Sequence, residues 1–95
     1  MRVLLAEDEK ELSDALVAIL KHANYSVDAV FDGADALDYA LAQEYDALIL
    51  DIMMPGLSGL EVLKKLRDSG CHTPILLLTA KSEIEDRIQG LDLGA

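Results

Sequence analysis

Three short, uninterrupted apolar runs constrain the fold of this chain more than any other feature. They occupy residues 3–6, 47–50 and 74–79, and each ends next to a polar or charged residue. Apolar runs without alternation are typical of strands buried on both faces, as in parallel sheets that are covered by helices. Between the runs, apolar residues recur at helical spacing. The chain therefore predicts a repeated strand–helix unit in which the strands run parallel.

A fourth apolar segment, residues 25–31, alternates instead of running continuously. Tyr25, Val27, Ala29 and Phe31 fall on one side of an extended chain, and Ser26, Asp28 and Val30 fall on the other. A period of two indicates a strand that is less completely buried, which places it nearer an edge of the sheet. Right-handed connections then favour the strand order 2-1-3-4, with the first and third strands side by side.

Four helices are predicted from apolar spacing and from residues that cap helix starts. Asp32 is a candidate cap for the second helix, Ser58 with Glu61 forms a capping box for the third, and Ser82 with Glu85 forms another for the fourth. The inner faces expected for the first three helices are Leu12, Ala15, Leu16, Ile19, Leu20 and Ala23; Ala34, Leu37, Ala40 and Leu41; and Leu60, Leu63 and Leu66.

The composition excludes several kinds of partner. Eighteen acidic and eight basic residues give a net charge of −10, which argues against binding of nucleic acid or an anionic membrane by this segment. No apolar run approaches the ~20 residues of a membrane span, and Met1 leads directly into a strand rather than a signal peptide. Together with the single cysteine, Cys71, this predicts a cytoplasmic setting.

Acidic residues follow the two strands that are expected to be neighbours. Glu7 and Asp8 come after the first run, and Asp51 comes after the third. The carboxyl ends of parallel strands share one edge of the sheet, where ligands bind in open α/β folds. Two carboxylates ~4 Å apart repel by ~4 kcal/mol at an effective dielectric of ~20. A small divalent cation with oxygen ligands, Mg²⁺, would relieve that repulsion.

Each acidic residue also has a purely structural interpretation. Asp8 could cap the first helix, because residues 8–11 also read as a capping box. Asp51 could end its strand by accepting backbone hydrogen bonds in the turn that Pro55 and Gly56 introduce. The coincidence of these residues with Thr79, at the end of the fourth strand, favours a shared site over two separate structural roles.

The acidic pair, Asp51 ahead of residues 53–56 (Met-Met-Pro-Gly), and Thr79-Ala80 together resemble the receiver domain of two-component response regulators. The resemblance covers all 95 residues, and residues 78–81 and 90–95 resemble the subfamily with a downstream winged-helix DNA-binding domain. It implies a flavodoxin-like, doubly wound parallel α/β sheet. It also implies that the chain is not itself an enzyme but a phosphoprotein that regulates transcription.

The resemblance further implies a role for each site residue. Asp51 would accept a phosphoryl group from a sensor histidine kinase. Asp8, Asp51 and the Met53 backbone carbonyl would ligate Mg²⁺, and Glu7 would act directly or through water. Thr79 would donate its hydroxyl, and Ala80 its N–H, to phosphoryl oxygens. Residues 1–95 would form an incomplete receiver domain that lacks the family's fifth strand, with its lysine, and fifth helix.

Incompleteness suggests that the chain associates with itself to cover exposed aliphatic surface and an unpaired strand edge. Impaired phosphotransfer, with a role only in protein interaction, is the main alternative function. A phosphatase with an aspartate nucleophile ranks lower, because Met53 stands where such enzymes place a second acid. A flavodoxin also ranks lower, because Glu7, Asp8 and Glu9 would repel a flavin phosphate.

Overall fold

A computed structural model of the chain describes residues 1–78. Strands and helices alternate along it, as the sequence predicts. The elements are β1 (Arg2–Ala6), α1 (Lys10–His22), β2 (Ser26–Val30), α2 (Gly33–Ala42), β3 (Ala47–Asp51), α3 (Gly59–Asp68) and β4 (Ile75–Leu78). The fourth helix expected from Ser82, and the end of the fourth strand at Thr79, lie outside the described residues.

The four described strands form one parallel sheet in the order β2-β1-β3-β4, which confirms the prediction. The two continuous apolar strands β1 and β3 lie side by side in the middle, and the alternating strand β2 is at an edge. In the register, Ala6 of β1 pairs with Leu50 of β3, and Asp51 pairs with Leu78 of β4. The acidic residues that follow β1 and end β3 are therefore neighbours.

The side of the sheet that faces α2 and α3 carries a closed aliphatic core. Alternate strand residues point into it, and Val62 and Leu66 of α3 are completely buried against them. The strand residues in this core are Leu4, Ala6, Val30, Leu48, Leu50, Ile75 and Leu77. Within residues 1–78, no helix has both the length and the apolar character that crossing a bilayer would require.

The inner faces predicted for α2 and α3 are partly wrong. In α2 the buried residues are Gly33, Ala36 and Ala40, whereas Leu41 is 55% exposed. In α3 the buried residues are Gly59, Val62, Leu63 and Leu66, whereas Leu60 is exposed. The first residue of each helix is a buried glycine that packs against neighbouring backbone, Gly33 against the Leu57 carbonyl and Gly59 against the Asp51 carbonyl. In both helices the buried face includes this glycine rather than the larger leucine that the spacing favoured.

Within residues 1–78, the opposite side of the sheet is covered only in part, because α1 packs against β2 and β1. Across one row of paired residues, Leu5 of β1 is fully buried, Ile49 of β3 is half-buried, and Leu76 of β4 is 37% exposed. Leu12 and Ile19 of α1 are also exposed, so the inner face predicted for this helix is not closed in the described structure. We call Leu12, Ile19, Ile49 and Leu76 the open apolar face.

Candidate metal and phosphoacceptor site

The carboxylates of Glu7, Asp8 and Asp51 meet at the carboxyl edge of the sheet. One oxygen from each lies within 4.8 Å of the others. Adjacent parallel strands produce this cluster, because Glu7 directly follows β1 and Asp51 is the last residue of β3. The sequence predicted this juxtaposition, and the described residues bring all three carboxylates together.

Burial differs sharply among the three acids. Glu7 and Asp51 are buried, with 2% and 3% of their surface exposed, whereas Asp8 is exposed to solvent. Asp8 is not the cap of α1, because the capping position belongs to Glu9, which makes no side-chain capping bond. The alternative structural role for Asp8 is therefore not observed, and its carboxylate is available at the mouth of the cluster.

Burial raises the pKa of Glu7 to about 7, a larger effect than the opposing hydrogen bond that Glu7 accepts from the Glu9 N–H at 2.8 Å. A hydrogen bond with Asp51 raises the Glu7 pKa further. Burial also raises the pKa of Asp51, while the hydrogen bond with Glu7 opposes that shift. Burial therefore disfavours ionisation of both carboxyl groups when no cation is bound.

Hydrogen bonds of the Ile52 and Met53 backbone fix the start of the loop that follows Asp51. The Met53 N–H donates to the Asp51 carboxylate at 3.2 Å, as the structural interpretation of Asp51 also expected. The Ile52 N–H donates to the carbonyl of Leu78 at 2.8 Å, and the Ile52 carbonyl accepts from the Gly59 N–H at 2.9 Å. This loop therefore has a single defined path between β3 and α3. The Met53 side chain points into solvent, with 67% of its surface exposed.

The start of α3 carries the capping box that the sequence predicts. The Ser58 hydroxyl accepts from the Glu61 N–H at 3.2 Å, and the Glu61 carboxylate accepts from the Ser58 N–H at 3.2 Å. At α2, Asp32 accepts from the Asp35 N–H at 2.8 Å, again as predicted. Both caps fix the helix starts that flank the loop after Asp51.

Thr79 and Ala80 lie outside the described residues. Leu78, the residue before Thr79, is the register partner of Asp51. One contributor to the geometry of the site escaped the sequence interpretation: Gly59, which is buried directly behind the Asp51 carbonyl. Its only signal in the sequence is a glycine next to the capping residue Ser58, where a helix former would be more usual.

The donor set is what a hard divalent cation requires. All three candidate ligands are carboxylates, and two of them, Glu7 and Asp51, are buried, which raises the pKa of each. Oxygen-only ligands in small number suit Mg²⁺, which keeps several waters, better than they suit Zn²⁺ or copper.

Comparison with known proteins places this geometry in a family. Residues 3–95 match the model of the response regulator receiver domain. The chain is 54% identical over 95 residues to the transcriptional regulatory protein DltR of Streptococcus agalactiae, and 47% identical over 94 residues to the response regulator ArlR of Staphylococcus aureus. It spans 42% of the length of each of these relatives.

Solved structures agree. The receiver domain of the Francisella response regulator 1452 is 33% identical, with a TM-score of 0.88 over 99% of this chain and 78% of that one. TrrA of Thermotoga maritima, solved in complex with Mg²⁺ and BeF, is 35% identical, with a TM-score of 0.83 over 96% of this chain and 81% of that one. This chain belongs to the receiver domain family of two-component response regulators.

Proposed function

We propose that Asp51 is the phosphoacceptor of a two-component signalling pathway and that a sensor histidine kinase supplies the phosphoryl group. The observation that carries the proposal is the burial of Asp51 within a cluster of three carboxylates at the carboxyl end of a central parallel strand. In the reaction, the Asp51 carboxylate attacks phosphorus, a P–O bond forms, the P–N bond of phosphohistidine breaks, and imidazole leaves. Little covalent chemistry is required of the protein, which acts by positioning.

Asp8, Asp51 and the Met53 backbone carbonyl are the proposed ligands of Mg²⁺, with Glu7 acting directly or through water. When bound, Mg²⁺ would neutralise the charge of the carboxylates and of the incoming phosphoryl oxygens. Two observations support this assignment: the oxygen-only donor set of the cluster, and the presence of Mg²⁺ together with BeF in the TrrA complex. Cation binding favours the ionised carboxylates and would therefore oppose the raised pKa values of Glu7 and Asp51.

Thr79 and Ala80 are proposed to donate hydrogen bonds to phosphoryl oxygens, through the Thr79 hydroxyl and the Ala80 N–H. The support is their position in the sequence, directly after Leu78, whose backbone pairs with Asp51. Donors placed where negative charge develops stabilise a transferring phosphoryl group.

As a whole, the chain is proposed to be a cytoplasmic regulatory phosphoprotein rather than an enzyme with a separate substrate. The name of DltR, a transcriptional regulatory protein, supports a role in transcription, exerted through DNA-binding residues outside residues 1–95. The net charge of −10 supports the absence of direct nucleic-acid contact by this segment.

The test is incubation with Mg²⁺ and acetyl phosphate, or with a phosphorylated histidine kinase, followed by intact-mass spectrometry. We expect one phosphoryl adduct, which requires Mg²⁺ and is lost in Asp51→Asn. Asp46→Asn, which changes an exposed aspartate directly before the start of β3, is the matched control and should be labelled like the wild type. Labelling that persists in Asp51→Asn would overturn the assignment. The same assay on a longer chain tests whether residues beyond Ala95 speed the transfer.

A second candidate function is self-association, with phosphotransfer impaired. We propose that the open apolar face is covered by a second copy of the chain. The favouring observation is the gradient of exposure from Leu5 through Ile49 to Leu76, which leaves aliphatic surface beside an edge of β4 that no strand within residues 1–78 pairs with. Size-exclusion chromatography with light scattering should report a dimer, and a compact monomer at all concentrations would refute this proposal.

A further inference from the structure

Gly59, the first residue of α3, packs directly against the backbone of the phosphoacceptor. A Cβ atom built on Gly59 would lie 2.3 Å from the Asp51 carbonyl oxygen, 2.9 Å from the Asp51 carbonyl carbon and 3.0 Å from the Ile52 Cα. All three are backbone atoms, so no side chain could swing aside to make room. We propose that Gly59 is a positioning residue, which fixes the segment from Asp51 to Met53 in the geometry that holds the cation.

The segment that Gly59 supports is held from both sides. The Gly59 N–H donates to the Ile52 carbonyl at 2.9 Å, while the Ile52 N–H donates to Leu78 of β4 at 2.8 Å. The next N–H, that of Met53, donates to the Asp51 carboxylate at 3.2 Å. Any shift of the Asp51–Ile52 peptide therefore moves both the Asp51 carboxylate and the Met53 carbonyl, which are two of the proposed ligands.

The loop, rather than the helix, would yield to a new methyl group. Helix α3 is anchored by Val62 and Leu66, which are 0% exposed, and by Leu63, which is 6% exposed. Moving these residues would open a cavity in the core. An ordinary carbon–oxygen contact needs about 1 Å more than the 2.3 Å available, and such a displacement is enough to disrupt a site that depends on precise positioning.

A comparable close approach elsewhere on the same loop provides a matched control. A Cβ built on Gly33, the first residue of α2, would lie 1.9 Å from the Leu57 carbonyl oxygen. The clash is at least as severe, but it falls six residues after Asp51. A third glycine, Gly70, has a φ of 88°, and a Cβ built on it would have no atom within 4 Å. An alanine there would therefore strain the backbone without contacting the site.

The experiment compares Gly59→Ala, Gly33→Ala and Gly70→Ala with the wild type, and it rests on the proposed Mg²⁺ site. Calorimetry measures the dissociation constant for Mg²⁺, and amide NMR of the metal-free protein follows the Met53 N–H. We expect Gly59→Ala to weaken Mg²⁺ binding at least tenfold and to shift the Met53 amide signal. Gly33→Ala and Gly70→Ala should lose stability but keep the dissociation constant within threefold of the wild type.

The possible results distinguish a positioning role of Gly59 from a purely structural role. Mg²⁺ binding by Gly59→Ala within twofold of the wild type, or an equal loss in Gly33→Ala, would overturn the positioning role. Failure of the wild type itself to bind Mg²⁺ would count against the proposed function instead, and the Met53 signal would still test the positioning role. If Gly59→Ala is unfolded, the assay is repeated in trimethylamine N-oxide, which favours the compact state. A chain that stayed unfolded there would show that the contact serves the fold and not the site.

Discussion

The Tyr45 hydroxyl donates a hydrogen bond of 2.7 Å to the Asp28 carboxylate, at the end of the sheet opposite the acidic cluster. The same carboxylate oxygen accepts from the Arg2 guanidinium at 3.0 Å, and that guanidinium lies 5.1 Å from the centre of the Tyr45 ring. Arg2 also donates to the Gln43 side chain. These contacts tie the start of β1 to β2 and to the chain segment that leads into β3.

We expect Tyr45→Phe to lower the free energy of unfolding by about 1.5 kcal/mol, because it removes a hydrogen bond to a charged group. Urea denaturation at pH 7 measures the loss. Tyr39→Phe, an exposed tyrosine on α2, is the control and should change stability by less than about 0.5 kcal/mol. An equal effect of the two substitutions would contradict this role for Tyr45.

The Tyr45 contribution should also depend on pH. The bond from Tyr45, assisted by Arg2, lowers the pKa of Asp28 below its ordinary 3.8. A lowered pKa means that this stabilisation is present above pH 3.8 and is lost as the pH falls through the folded-state value. The difference in unfolding free energy between the wild type and Tyr45→Phe should therefore shrink in strong acid. A constant difference down to pH 2 would show that packing of the ring, and not the charged bond, carries the effect.

The metal-free acidic cluster should lose stability as the pH rises. Because the Glu7 pKa is raised from 4.5 to about 7, the folded chain binds more protons than the unfolded chain between these values. Stability therefore falls from pH 4.5 to about 7, by about 3 kcal/mol. Saturating Mg²⁺ should remove the fall, because the cation replaces the proton. Thermal unfolding at pH 5 and 7.5, with and without Mg²⁺, measures both effects.

Glu7→Gln provides the control for this pH dependence. The amide cannot ionise, so the metal-free variant should be nearly as stable at pH 7.5 as at pH 5, while its Mg²⁺ affinity falls. Glu11→Gln, an exposed acid in the first turn of α1, should behave like the wild type. A full pH dependence in Glu7→Gln would assign the effect to another group.

Leu76→Glu should abolish the proposed self-association. The side chain of Leu76 lies on the open apolar face, and a carboxylate there would have to be desolvated on association. Leu41→Glu, which changes an exposed leucine on α2, is the matched control and should leave the dimer intact. Light scattering over a range of concentrations distinguishes the two variants. A dimer that survived Leu76→Glu would place the contact on another surface.

Ser58→Ala should destabilise the fold by about 1 kcal/mol, because the first turn of α3 loses a capping acceptor. Glu61→Gln keeps an acceptor for the Ser58 N–H and should cost less than half as much. Circular dichroism during urea unfolding measures both. Equal losses would indicate that the charge of Glu61 near the helix start, rather than the reciprocal hydrogen bonds, provides the stabilisation.

The order of the strands and the meeting of Glu7, Asp8 and Asp51 follow from the sequence, because both depend on periodicity and on the common edge of parallel strands. The rotation of α2 and α3 does not follow in the same way. Their closest contacts with neighbouring backbone involve Gly33 and Gly59, which carry no hydrophobic signal. The spacing of apolar residues therefore predicts inward positions for the larger Leu41 and Leu60 instead.

The sequence also does not predict that part of the apolar face of α1 is exposed. Periodicity identifies an apolar face, but burial of that face depends on how far the helix extends across the sheet. Helix α1 lies over β1 and β2, which leaves Ile19 64% exposed. The raised pKa values of Glu7 and Asp51 are a further consequence of packing, because desolvation is a property of the surroundings and not of the residue type.

The hydrogen bond from the Ile52 N–H to the Leu78 carbonyl ties the acidic cluster to β4, one of the two edge strands of the described sheet. Fraying of that strand would release the peptide between Asp51 and Met53. Ligand binding at the acidic cluster and pairing of β4 with β3 are therefore thermodynamically linked, and each must stabilise the other by the same free energy. Binding of a ligand among the carboxylates would therefore stabilise the pairing of β4 along its whole length, including residues that the ligand does not contact.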